Sequence, residues 1–248
     1  MIAFDLETSK ILDEGAVLME NRPLGISCAA LRYDDGRSQV FHGGMGVKEY
    51  APCLTVHDCR RLVSIMLNEQ RSGGNRIVSF NGLGFDFDIL AEECQDPFFK
   101  SYNGPSRDAC KELALGHIDI GFQMYRERGF MIGLDAMAHA LGLPGKMEEV
   151  GGAKAPEMWA QGKFQQEKVL EYVAQDVVTT LDVYWEIIKQ GEVKWITKAG
   201  RPAKYPWVPQ TKDGRLLTVQ ECLELPDPDT SWMDEPWPLE KFTGWLDV

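Results

Sequence analysis

The sequence predicts an α/β fold, a mixed β-sheet flanked by helices with a C-terminal extension, and three observations lead to it. Short apolar runs come first and suit paired strands, later runs alternate with segments of helical spacing, and after Gln190 the texture shifts to prolines, tryptophans and a hairpin signal. A chain of 248 residues is long for one domain and short for two large ones. The expected organisation is a core over 1–190 and an extension over 191–248.

The first three strands fall at 2–7, 24–33 and 38–42, apolar and β-branched or aromatic, with the polar turn Asp34-Asp35-Gly36-Arg37 between the last two. They suit an antiparallel meander. Residues 55–69 place Leu62, Ile65 and Met66 at helical spacing, and Gly73-Gly74 ends that helix before a buried strand at 76–80. A second helix begins near Phe85, a short strand falls at 117–120, and helices follow near 133–141, 156–161 and 165–190. Beyond Gly191, residues 193–196 and 204–208 suit a hairpin around Ala199-Gly200-Arg201-Pro202.

Composition narrows the function. With 44% hydrophobic and 26% charged residues, the chain holds no apolar run near the roughly 18 residues that a membrane span needs, so no membrane partner is expected. Met1-Ile2-Ala3-Phe4-Asp5 carries no secretory signal, which makes the cytoplasm the expected compartment. Six cysteines without a Cys-x-x-Cys pair suit reduced thiols. Cys53, His57 and Cys59 lie close in sequence but offer no fourth zinc ligand, and packing where a helix begins accounts for them. The formal net charge of -12 argues against indiscriminate duplex binding, although eight acids from Glu221 to Asp247 against one base, Lys241, put much of the excess in the tail.

Three segments carry chemistry. Asp5 and Glu7 lie two apart on a strand and so project to one face, where a single cation touches both. Between apolar Ile2, Phe4 and Leu6, two carboxylates are costly without a cation or donors; a strand end reaching solvent is the alternative, and the pair alone does not decide. In Ser79-Phe80-Asn81-Gly82-Leu83-Gly84-Phe85-Asp86 a buried strand breaks into a glycine turn and delivers an acid at a helix start, which also suits an N-cap. Tyr172 and Asp176, four apart, share one face of a helix whose Val169, Val173, Val177 and Leu181 face a core.

In order and texture, these segments resemble the three exonuclease motifs of the DEDD superfamily: Phe4-Asp5-Leu6-Glu7-Thr8, then Asn81 with Phe85-Asp86 and Leu90, then Tyr172 with Asp176. Tyrosine four before the last acid marks the tyrosine subclass, and the texture is similar to the exonuclease domain of family B DNA polymerases. The resemblance spans about residues 1–190. It implies a ribonuclease-H-like (DnaQ-like exonuclease) fold, a free-standing 3′-5′ exonuclease, and hydrolysis with two Mg²⁺ or Mn²⁺ ions about 4 Å apart. On that pattern Asp5 bridges both ions, Glu7 and Asp176 complete one site, Asp86 holds the other through water, and Tyr172 orients the attacking water. Thr8, Asn81 and Phe85 become candidates for holding the terminal nucleotide of a single-stranded 3′ end, DNA or RNA. Residues two apart on a helix diverge by about 200°, so Asp88 is expected on the far side of its helix from Asp86, facing solvent.

Two further features stay open in the sequence. Lys194, Lys198, Arg201, Lys204, Lys212 and Arg215, interleaved with Trp195, Tyr205 and Trp207, suit either a single-strand track or a solvated hairpin with docked aromatics. Trp232, Trp237, Phe242 and Trp245 either wrap the domain or meet another protein. Competing functions on this fold are a ribonuclease-H-type endonuclease, against which Tyr172 argues, and a non-catalytic binding module, against which the five filled positions argue.

Overall fold

The computed structural model describes residues 1–13, 15–16, 18–44, 49–95, 107–145, 150–197, 199–207 and 211–246. Lys198, Val208 and Asp247 lie outside the described residues. In chain order the elements are β1 (Ile2–Thr8), β2 (Ile26–Tyr33), β3 (Ser38–His42), α1 (Val56–Arg71), β4 (Ile77–Ser79), α2 (Asp86–Glu93), α3 (Arg107–Gly116), β5 (Ile118–Asp119), α4 (Ile120–Arg128), α5 (Leu134–Ala140), α6 (Ala155–Trp159), α7 (Lys163–Gln190), β6 (Glu192–Ile196), β7 (Pro202–Pro206), α8 (Val219–Leu223) and α9 (Glu240–Thr243).

The main sheet runs β3-β2-β1-β4-β5. β1 pairs antiparallel with β2, which pairs antiparallel with β3, so the expected meander forms; β1 and β4, and β4 and β5, are parallel. β1 is thus the middle strand, hydrogen-bonded on both edges, and its two faces meet different partners. Ile2, Phe4 and Leu6 enter a large core with Leu62 and Met66 of α1 and Phe87 of α2. Ala3 faces the other way and packs with Cys28 and Ala30 of β2 against Val169, Val173 and Val177 of α7. Small side chains on that face let a 28-residue helix lie close across the strand carrying Asp5 and Glu7.

Helices α3 and α4 were not expected from the sequence. In α4, Ile120 through Arg126 are all buried, which erases the one-sided periodicity that marks a surface helix. The residues after Gly191 are built onto the sheet. The β6–β7 hairpin docks its aromatics: Trp207 is buried, Trp195 meets Phe130 edge-on at 6.1 Å, and Lys194 and Lys204 both pair with Glu192. These bases are locally compensated, as in the solvated-hairpin reading. Val219, Cys222, Phe242, Trp245 and Leu246 join the core that contains Phe4 and Phe87. Phe242 and Trp245 therefore wrap the domain, while Trp232 and Trp237 remain exposed.

The buried Arg126 of α4 holds this segment, donating from Nε to the Cys222 carbonyl at 3.1 Å and pairing with Asp227 at 3.0 Å. α8 itself starts with a capping box, in which the Thr218 hydroxyl accepts from the Glu221 N–H and the Glu221 carboxylate accepts from the Thr218 N–H. The Arg215 guanidinium, with those Thr218 donors, holds the Glu221 carboxyl down to about 2. A depressed carboxyl contributes stability that is full above its unfolded value and lost as pH falls through the folded one. Glu221→Gln is therefore expected to lower the Tm at pH 7 by an amount equivalent to about 1 kcal/mol or less, since the pair is partly solvated. The gap should narrow from pH 4.5 toward pH 2. Thermal unfolding across that range checks it, and a pH-independent gap would remove the charge from the account.

Candidate active site

β1 and α7 supply the centre. Asp5 and Glu7 share the face of β1 on which Ala3 meets α7, and Asp176, set between Val173 and Val177, reaches the same place. Asp5, Glu7 and Asp176 each offer a carboxylate oxygen within 4.8 Å of the others, the one such group of three or more among the described residues. Glu7 is 7% and Asp176 2% exposed. Three oxygen donors at this spacing, largely removed from water, fit a divalent cation with hard-ligand preference. Cys28, opposite Glu7 on β2, does not compete as a thiolate: burial and then the Glu7 carboxylate push its thiol well up.

A cavity of about 380 Å³ opens over this group, and every residue expected from the sequence lines it: Asp5, Glu7, Asp86, Tyr172 and Asp176, with Thr8, Asn81 and Phe85. Tyr172 stands one helical turn before Asp176 on α7, only 2% exposed. Thr8 sits at an irregularity in the β1–β2 register, where the strand leaves its partner. Gly152 and Ala153 complete the wall and had no motif to flag them; the adjacent pair Gly151-Gly152 was the available signal. A second cavity of about 530 Å³, lined also by Lys10, Ile11 and Leu12, shares Thr8, Gly152 and Ala153 with the first.

Asp86 arrives by a different route. After β4 the chain turns through Asn81 at φ +64° and through Gly82, where a Cβ would lie 2.3 Å from the Ser79 hydroxyl. The Asp119 carboxylate accepts from the N–H groups of Asn81 at 2.8 Å, Leu83 at 2.9 Å and Phe122 at 3.0 Å, so one buried acid folds the turn and caps α4. No motif in the sequence marks Asp119. Phe85, rather than Asp86, occupies the N-cap of α2, and the Asp86 carboxylate accepts instead from the Leu6 N–H of β1 at 3.1 Å. That bond ties the start of α2 to the strand carrying Asp5 and Glu7.

Asp88 requires a correction. It does not line the cavity, but neither does it face solvent: it is 2% exposed and pairs with Arg22 at 2.8 Å. The first six residues of α2 are all buried, because α3 covers the helix and the segment between β1 and β2 reaches it through Arg22 and through Gly25, whose N–H donates to Glu93. Histidines stay outside the site. His117 is fully buried between the Ala114 carbonyl and the Ser79 hydroxyl, and burial lowers its pKa, favouring the neutral form. His42 packs on Tyr50 and His139 lies near Asp135.

Residues 21–194 match a family described as a predicted 3′-5′ exonuclease related to the exonuclease domain of PolB. The matched span holds Asn81, Phe85, Asp86, Tyr172 and Asp176 and begins after Asp5 and Glu7. Among solved structures, the family B DNA polymerase from the hyperthermophilic archaeon Pyrobaculum calidifontis superposes with a TM-score of 0.51 at 19% identity, over 75% of this chain and 24% of the polymerase. The family match, this likeness and the five-stranded mixed sheet flanked by helices together bear out the ribonuclease-H-like exonuclease fold. The chain thus spans about a quarter of that polymerase's length. No curated protein matches.

The Arg22–Asp88 pair carries a prediction about stability. Asp88→Ala leaves Arg22, partly exposed, with Glu92 at 3.4 Å as its remaining carboxylate, so it should cost about 1–2 kcal/mol, read by urea unfolding. A loss under about 0.5 kcal/mol, the level of an ordinary surface change, would show that the pair contributes nothing.

Proposed function

The chain belongs to the family of predicted 3′-5′ exonucleases related to the exonuclease domain of PolB, and we propose that it hydrolyses phosphodiester bonds stepwise from single-stranded 3′ ends of DNA or RNA, releasing nucleoside monophosphates. One observation carries this: the Asp5, Glu7 and Asp176 carboxylates converge within 4.8 Å in a cavity that Asp86 and Tyr172 also line. Two Mg²⁺ or Mn²⁺ ions are the expected cofactors, held by Asp5, Glu7 and Asp176 with Asp86 on the α2 side. When bound, such ions supply Lewis-acid charge stabilisation and lower the pKa of water toward neutrality.

The protein's own groups do the positioning. The Tyr172 hydroxyl, fixed by α7 beside Asp176, orients the attacking water against the phosphorus. Phe85, partly exposed at the cavity, offers a ring for stacking the terminal base, and Thr8 and Asn81 offer hydrogen bonds to the terminal nucleotide. Burial of Glu7, Asp86, Tyr172 and Asp176 lowers the local dielectric and strengthens their electrostatic contacts. The adjoining cavity past Thr8 gives the preceding nucleotide a place to lie. A cavity with this density of acid is selective by necessity, since a phosphate enters only where cations offset the carboxylates.

Digestion of matched 3′- and 5′-labelled oligonucleotides tests the reading. Activity should vanish in excess EDTA and return with Mg²⁺ or Mn²⁺, and products should shorten one nucleotide at a time from the 3′ end; internal cuts would make the protein an endonuclease. Asp5→Ala and Asp176→Asn should abolish turnover in folded protein, and normal rates in either would move the site elsewhere. Tyr172→Phe should slow turnover about 10²-fold while leaving cation binding intact. For the second motif, Asp86→Ala should cost about 10²-fold or more. Asp88→Ala, corrected for folded fraction, should turn over near the parent rate, and the reverse ranking would misassign the motif.

A further inference from the structure

We infer that Trp245, near the end of the described chain and outside the matched span 21–194, is a positioning residue for the α2 side of the site, working with Asp119 as a clamp on the peptide of Leu83. The inference rests on the nuclease reading for its consequence but not for its geometry. Leu83 lies in the turn between Asn81 and Asp86. Its N–H donates to Asp119 at 2.9 Å, and its carbonyl accepts from the Trp245 indole N–H at 2.8 Å. Both groups of one backbone residue are thereby fixed by side chains from β5 and from the C-terminal segment. Neither clamp residue lines the cavity.

Adjacent contacts seat the same segment on the same turn. A Cβ at Gly84 would lie 2.9 Å from the Phe242 ring, so the tail packs directly on the glycine. Arg107 of α3 donates to the Trp245 carbonyl at 2.7 Å, and the Tyr125 hydroxyl donates to the Trp237 carbonyl at 2.8 Å. The turn is irregular backbone, with Asn81 in the left-handed region that asparagine tolerates, and its amides are held by side chains rather than by a strand or helix ladder. Asp5, Glu7 and Asp176 sit on a central strand and a long helix, whereas Asp86 and Phe85 follow this turn. Releasing the Leu83 carbonyl should let them drift without dismantling the carboxylate group.

Trp245→Phe keeps an aromatic six-membered ring at a core position while removing the indole N–H with its five-membered ring, and Trp232→Phe, at a residue 63% exposed, serves as the control. Three measurements on the full chain separate a clamp from mere packing: amide hydrogen exchange at Leu83, Phe85 and Phe87, thermal unfolding, and kcat and KM on a 3′-labelled oligonucleotide with Mn²⁺. The expected result for Trp245→Phe is about tenfold faster exchange at the turn than elsewhere in the chain and a kcat, corrected for folded fraction, about tenfold lower, with KM within about twofold and a lowered Tm from the smaller core side chain. The control should match the parent throughout. Unchanged exchange at the turn, or a kcat loss no larger than the loss of folded protein, overturns the inference. Should Trp245→Phe fail to fold, Asp119→Ala, which removes both the oxygen that accepts from the Leu83 N–H and the one that accepts from the Asn81 and Phe122 N–H groups, must give the same local exchange pattern or the clamp is rejected. Absence of hydrolysis by the parent chain with either cation would overturn the nuclease reading, and the exchange comparison would still decide the clamp.

Discussion

The crowding of three carboxylates governs this structure. At an effective dielectric near 20, two ionised carboxylates 4 Å apart would repel by about 4 kcal/mol, a large share of the net stability of a typical domain, about 5–15 kcal/mol, so such a group holds its charge only with a cation, a donor or a proton. Asp5, Glu7 and Asp176 offer oxygens within 4.8 Å of one another. A flexible scaffold would relieve that repulsion by moving them apart. Here the acids stand on the middle strand of the sheet and on its longest helix, which cannot separate without opening the core. Acids held together by packing fit a divalent cation, and that fit is a property of the fold rather than of any one ligand.

The two faces of β1 show how the sequence arranges this. Alternation sends Ile2, Phe4 and Leu6 into one large core and Ala3, Asp5 and Glu7 toward α7. On the α7 side the apolar positions are small or β-branched, Ala3, Cys28 and Ala30 against Val169, Val173 and Val177. That choice draws the helix close enough for Asp176 to meet Asp5 and Glu7. Bulk on the other face, including the Phe4 and Phe87 rings at 5.2 Å, compensates in buried apolar area for what the thin face gives up.

What could be read in advance followed from local rules. Period two on a strand and spacing four on a helix were enough to place Asp5 with Glu7 and Tyr172 with Asp176, and alternation of strands with helices was enough for the sheet. Other features depended on contacts between distant residues. α4 gave no periodic signal because its residues from Ile120 to Arg126 are buried all round. Asp88 was expected in water because its helix was treated as having one covered face, yet Arg22, 66 residues earlier, covers the other. Asp119 carries no motif, and its role exists only because β5 lies beside β4 and brings the acid under the turn of Asn81 and Leu83.

The same division runs through the site itself. Its β1–α7 half is specified by short-range periodicity and buried packing, so nearby substitutions are what perturb it. The half that carries Asp86 hangs from a turn held by Asp119, by the Leu6 N–H and by the C-terminal segment, contacts that span from 36 to 162 positions of sequence. Each such contact closes a long loop, whose entropy opposes it more than the entropy of a short one would. Asp86 stands apart from the three carboxylates that converge within 4.8 Å, so it tolerates an attachment that a member of that group would not. The three converging acids thus rest on the strand and helix of the core, and Asp86 on a turn clamped by distant side chains.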